Sequence, residues 1–168
     1  MCFYNNRFIN SSSCNSCRMC STGPTGPTGP KGELSENFAS ITTSQISQNL
    51  EPLELASLSA NLIIGSNIDV INNSNYITLQ PGIYYINYSS TISSSSPSTL
   101  QLAFIEDNTT IEDSIIQLTI TNNADKEQVS KNFLLNVLDA DFNLALQNQS
   151  SQEITLEHLT ITIIKINN

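Results

Sequence analysis

From residue 37 onward, apolar and polar residues alternate in short runs that are separated by turn-forming residues. The runs predict strands at 38–43, 53–64, 68–71, 76–80, 83–92, 99–106, 115–121, 128–138, 142–147 and 153–166. Between them lie "GSN", "NNSN", "PG", "SSSSPS", "NNAD", "DAD" and "NQSSQ", the residue types that favour turns. "EPLELASLSANL" comes nearest to a helical pattern, but Pro52 and the serines weaken it. About ten strands in roughly 130 residues is the spacing of an antiparallel sandwich. The expected fold class is therefore all-β.

One strand carries more apolar residues than a half-exposed strand needs. "GIYYINYSSTI" begins at Gly82, after a Pro-Gly turn. Alternate strand residues share a face, so Tyr84, Ile86 and Tyr88 project together, with Ile83 and Tyr85 opposite. Both faces need cover. A second sheet supplies one; the other cover is either the rest of the same chain or a neighbouring copy.

The first 36 residues follow different rules. Residues 1–22 are polar, lack strand or helix periodicity, and hold all four cysteines, Cys2, Cys14, Cys17 and Cys20. This tail is expected to be disordered alone. Residues 23–34 read G-P-T, G-P-T, G-P-K, G-E-L, with glycine at Gly23, Gly26, Gly29 and Gly32. A period of three is the mark of collagen, because only glycine fits at the axis of three polyproline-II strands. Four triplets span ~37 Å at ~3.1 Å per residue, enough for a spacer but not a fibre. So short a run does not offset the entropy of bringing three chains together. A trimeric head over 37–168 would hold the chain starts in register and let the stub wind.

Charge sharpens this division. All 15 acidic residues lie at Glu33 or later, whereas Arg7, Arg18 and Lys31 stand in an acid-free start. With a net charge of −9, the body repels phosphates, which argues against a nucleic-acid partner. No run approaches the ~20 apolar residues that a membrane-spanning helix requires, and membrane insertion is not expected. The opening "MCFYNNRFINSSS" lacks the apolar stretch of a secretory signal.

Candidate chemistry is sparse. C-x2-C-x2-C at Cys14, Cys17 and Cys20 also occurs in iron–sulfur ligation, and with Cys2 could supply four thiolates to zinc. The surrounding Ser/Asn-rich tail offers a cluster no packed pocket. Disulfide cross-linking, between chains or to a scaffold, is the reading favoured by placing every thiol at one end. No cofactor or metal is expected. His158 is the sole histidine and no G-x-S-x-G elbow accompanies a serine, so an enzyme is not expected. Asp139-x-Asp141 offers hard oxygens to calcium, but matches no known ligand pattern.

Gly82-x-Tyr84-x-Ile86-x-Tyr88 resembles the signature strand of complement-head and tumour-necrosis-factor-like jelly rolls. "FASITT", "LTITIIKIN" and the closing "NFLLNVLDADFNLALQNQSSQEITLEHLTITIIKIN", taken with the triplets, resemble the collagen-like spore-surface (exosporium) glycoproteins of Bacillus and Clostridium relatives. The resemblance implies a homotrimeric jelly roll, with Tyr84, Ile86 and Tyr88 at or near the threefold axis. It further implies O-linked sugars on the outward-pointing Thr25 and Thr28. The expected role is structural and adhesive, at the spore surface or on a spore appendage, with the N-terminal cysteines joining a scaffold protein. The alternative is a soluble trimeric module that recognises a carbohydrate or a host protein.

Overall fold

The computed structural model describes residues 37–43, 45–70, 74–123 and 125–167. The cysteine tail with Cys2, Cys14, Cys17 and Cys20, and the triplets with Gly23, Thr25, Gly26, Thr28, Gly29 and Gly32, lie outside the described residues.

Twelve strands are present among the described residues. In chain order they are β1 (Phe38–Thr43), β2 (Ser47–Leu50), β3 (Leu58–Ile64), β4 (Ile68–Val70), β5 (Ile77–Leu79) and β6 (Gly82–Ser93). There follow β7 (Ser98–Glu106), β8 (Thr109–Thr110), β9 (Ile116–Ile120), β10 (Lys126–Val137), β11 (Phe142–Asn148) and β12 (Ile154–Asn167). A 3-10 turn, Glu112–Ser114, precedes β9.

The strands form two sheets. The first runs β10-β6-β12-β1-β3, with β2 also on β12; the second runs β4-β5-β11-β7-β8, with β9 also on β7. Every pairing is antiparallel. The chain steps between sheets as it goes: β5, β7 and β11 belong to one, while β6, β10 and β12 interleave in the other. That alternation is the winding of an antiparallel jelly roll.

Two periods of residue placement produce the core. Tyr84, Ile86, Tyr88 and Ile92 of β6 and Leu156, Ile161 and Ile163 of β12 face inward and are buried. They meet Leu100, Leu102 and Phe104 of β7 and Leu144 and Leu146 of β11 in one cluster. Tyr88 and Phe104 pack edge to face, their ring centroids 5.1 Å apart at 80°, a favoured geometry for aromatic quadrupoles. Gly82 takes φ 152°, a conformation that opens β6 after Pro81 and suits a residue without a Cβ.

Besides the unexpected short strand β2, the structure departs from the expected strands in two places. The expected strand over 53–64 begins only at Leu58. Pro52 has no N–H and Leu53 is left-handed at φ 67°, so residues 51–57 cannot run as a regular ladder. They lie along β11 instead: the Leu53 N–H donates to the Asn148 carbonyl (2.8 Å) and the Ala56 N–H to the Leu146 carbonyl (2.9 Å). The second departure lies between Glu106 and Ile115, where no strand is expected. Asp107 and Asn108 are both left-handed, at φ 44° and 64°, which makes a two-residue hairpin of the type whose twist matches strands. Thr109–Thr110 then pairs back as β8.

Candidate functional site

The signature strand lies at the centre of the molecule. Tyr84, Ile86 and Tyr88 have no exposed surface within a single chain. The Tyr88 hydroxyl donates to the Ser114 carbonyl, and the Tyr84 hydroxyl donates to the carbonyls of Gln80 (2.6 Å) and Asn67 (3.2 Å). Burial raises the pKa of both phenols above its ordinary value. The expectation that these three side chains meet a neighbouring copy is therefore corrected. The second sheet already covers them, and sealed side chains have no surface to offer.

The opposite face of the same strand is the one left open. In register across the first sheet, Leu134 of β10 pairs with Tyr85 of β6, and Tyr85 with Ile164 of β12. Ile164 pairs in turn with Phe38 of β1, and Phe38 with Ile64 of β3. Five strands thus contribute one apolar residue each to a row about 19 Å long at ~4.8 Å per strand. Leu134 is 60% exposed and Ile64 47%. Ile83, Leu62 and Ile166 extend the patch on the same face. The adjacent row, Asn132, Asn87, Thr162, Ser40 and Leu62, is uncharged as well. A contiguous apolar patch flanked by uncharged polar side chains is the composition of a protein contact. Periodicity alone pointed to Ile83 and Tyr85; Leu134, Phe38 and Ile64 needed the strand register to be seen as neighbours.

A polar clamp sits at the entry to the head. The Lys165 side chain, buried in β12, donates from Nζ to Asn67 Oδ1 (2.8 Å), and the Asn67 amide donates to Asn37 Oδ1 (2.8 Å). The Lys165 backbone N–H donates to the Asn37 carbonyl (3.1 Å). Lys165 Nζ also lies 6.0 Å from the Tyr84 ring centroid, within reach of a cation–π attraction. Nothing in the sequence marked Lys165 as buried, since a lysine in an alternating strand reads equally well as outward.

The remaining candidates are dispersed. His158 is exposed and left-handed at φ 53°, at the bulge where β12 leaves β2 and takes up β1. It shares a cleft with Thr42, Thr43, Gln45 and Ile46. Asp141 accepts a hydrogen bond from Gln80 Nε2 (2.9 Å) in the turn before β11. Among the described residues no three His, Cys, Asp or Glu side chains cluster as a metal would need, and no helix is long and apolar enough to cross a membrane.

No protein-family model matches the chain, and no curated protein matches it. Solved structures do. The chain is similar to murine APRIL at pH 5.0, at 7% identity, over 76% of this chain and 98% of that one, with a TM-score of 0.58. It is also similar to the tumour-necrosis-factor protein Eiger of S. frugiperda, at 12% identity, over 80% of this chain and 95% of that one, with a TM-score of 0.62. At such identities the likeness is one of fold: the described residues form a tumour-necrosis-factor-like jelly roll.

Proposed function

We propose that the chain is a homotrimeric head with a structural and adhesive role at the bacterial spore surface or on a spore appendage. Three copies meet through the open face of the first sheet. The observation that carries this reading is the five-strand apolar row from Leu134 to Ile64, whose members directly oppose one another in register. Three chains is also the number that the glycine triplets at Gly23, Gly26, Gly29 and Gly32 need. The fold shared with a tumour-necrosis-factor protein supports the same assembly. The likeness of the sequence to collagen-like spore glycoproteins supports the location, with Cys2, Cys14, Cys17 and Cys20 joining a scaffold protein and sugars on Thr25 and Thr28.

Sedimentation of the full chain tests the assembly. The wild type should sediment as a trimer, and Leu134→Asp with Ile164→Lys should give folded monomers, because each places a charge in the row. A trimer unaffected by both changes would overturn the interface. Immunogold labelling of intact spores tests the location.

A second reading, a soluble recognition module, draws on a separate feature: an aromatic-bearing cleft on the outer face of the second sheet.

A further inference from the structure

The second sheet presents a row of hydrogen-bonding side chains to solvent. Asp69 of β4 pairs with Thr78 of β5, and Thr78 with Asn143 of β11. One step on, Leu144 pairs with Glu106 of β7, so Asn143 lies beside the β7–β8 turn that carries Asp107. Thr78, Asn143 and Asp107 join Ser74 and Tyr76 around a cleft of about 390 Å³, within the ~300–1,000 Å³ typical of small-molecule sites.

The chemistry of the lining is specific. Tyr76 is 47% exposed, and its N–H donates to Ser74 Oγ (3.1 Å), which fixes the residue at the start of β5. Its ring is a flat apolar wall at the cleft. Thr78 Oγ1 donates to Asn143 Oδ1 (3.0 Å), so the oxygen of that amide is engaged and its NH₂ is left as the donor. The Asp107 carboxylate can only accept. A donor, an acceptor and an aromatic ring thus line one cleft. A hydroxyl group, which both donates and accepts, satisfies such a pair; a vicinal diol satisfies it twice over. The C–H face of a pyranose ring covers the tyrosine.

The charge of the ligand follows from the surroundings. Among the described residues no lysine or arginine lines the cleft, and Glu106 feels the negative charge of both Asp107 and Asp139. An anionic ligand would be repelled.

We propose that Tyr76, Thr78, Asp107 and Asn143 form a binding site for a neutral sugar, a hexose or hexosamide presented on a glycan. This rests on the reading of the head as a recognition module, and it places recognition on the sheet opposite the assembly face.

The full chain should be tested on a printed array of neutral, sialylated and sulfated glycans, with sedimentation run on the same samples. Neutral glycans should be retained. Tyr76→Ala should weaken binding about tenfold, and Tyr76→Phe, which keeps the ring, should stay within about twofold. Asp107→Asn should weaken it about threefold, since a charged acceptor becomes a neutral one. Half-exposed Tyr76 and a turn aspartate are not needed for folding, and thermal melts of the variants should match the wild type. Failure of every neutral glycan to bind, preference for sulfated or sialylated ones, or binding unchanged in Tyr76→Ala would overturn the site. A trimer that retains no sugar sinks this site alone; a monomer that retains sugar sinks the assembly alone.

Discussion

Single residues hold the loops of this head in place. Asn148 is fully buried at the end of β11. Its amide donates to the carbonyls of Leu50 (2.9 Å), Glu51 (3.2 Å) and Gln152 (2.9 Å), and its oxygen accepts from the Ser150 N–H (2.8 Å). Asn148→Ala should cost about 3 kcal/mol in chemical denaturation, because buried carbonyls and an N–H lose their partner at once. Glu106 works the other way. Desolvation, then the charges of Asp107 and Asp139, raise its pKa. The folded chain keeps this proton to higher pH than the unfolded chain does. The stability this group adds is therefore complete below the ordinary glutamate range and is lost as pH rises through the raised value. Glu106→Gln should raise the Tm slightly at pH 7, by less than about 0.5 kcal/mol of stability, because water screens this partly exposed carboxylate. The gain should vanish in acid. An unchanged difference between the two pH values would remove the electrostatic account.

At the level of elements, β12 is the organising strand, and its bulge is where it changes partners. Glu157 pairs with Thr91 but Thr160 with Ser89, so one extra residue is inserted across His158. Its left-handed backbone costs a residue with a Cβ about 1 kcal/mol. His158→Gly should hold stability within about 1 kcal/mol of wild type, the relieved strain offsetting the looser unfolded chain. His158→Val should lose about 2 kcal/mol, since a β-branched residue tolerates this region least. Equal melting temperatures for the two variants would show that the bulge relaxes.

The same scale shows what could be read from sequence. The long strands β6, β7, β10 and β12 declare themselves by alternation, and Pro81-Gly82 marks its turn. β2, "SQNL", has one apolar residue and exists because β12 offers it backbone partners; β8 is two threonines following a hairpin. That Tyr84, Ile86 and Tyr88 share one face followed from period two, but which face met the second sheet did not. Nor did the row from Leu134 to Ile64, whose members are far apart along the chain and become neighbours only through four registers. The cleft around Tyr76 was unreadable for the same reason: Tyr76, Asp107 and Asn143 are far apart along the chain.

For the whole molecule, the proposed assembly sets an order of events in which the head forms first and the triplets coil afterwards. Gly26→Val should lower the melting of any triple-helical signal in circular dichroism, because a Cβ does not fit the crowded axis. The same variant should sediment as a trimer. A monomeric Gly26→Val protein would reverse the direction of causation.

The clamp of Asn37, Asn67 and Lys165 has a mechanical consequence. A tug on the N-terminal tail reaches the head at Asn37, and there it meets side-chain and backbone hydrogen bonds before any strand can peel. Behind that lock, β1 is flanked on both sides, by β12 and by β3. Load drawn along it must shear two ladders together rather than unzip one bond at a time. Under the proposed anchoring, a tethered head that is scraped, dried and rewetted would be gripped at the point where its leash is tied.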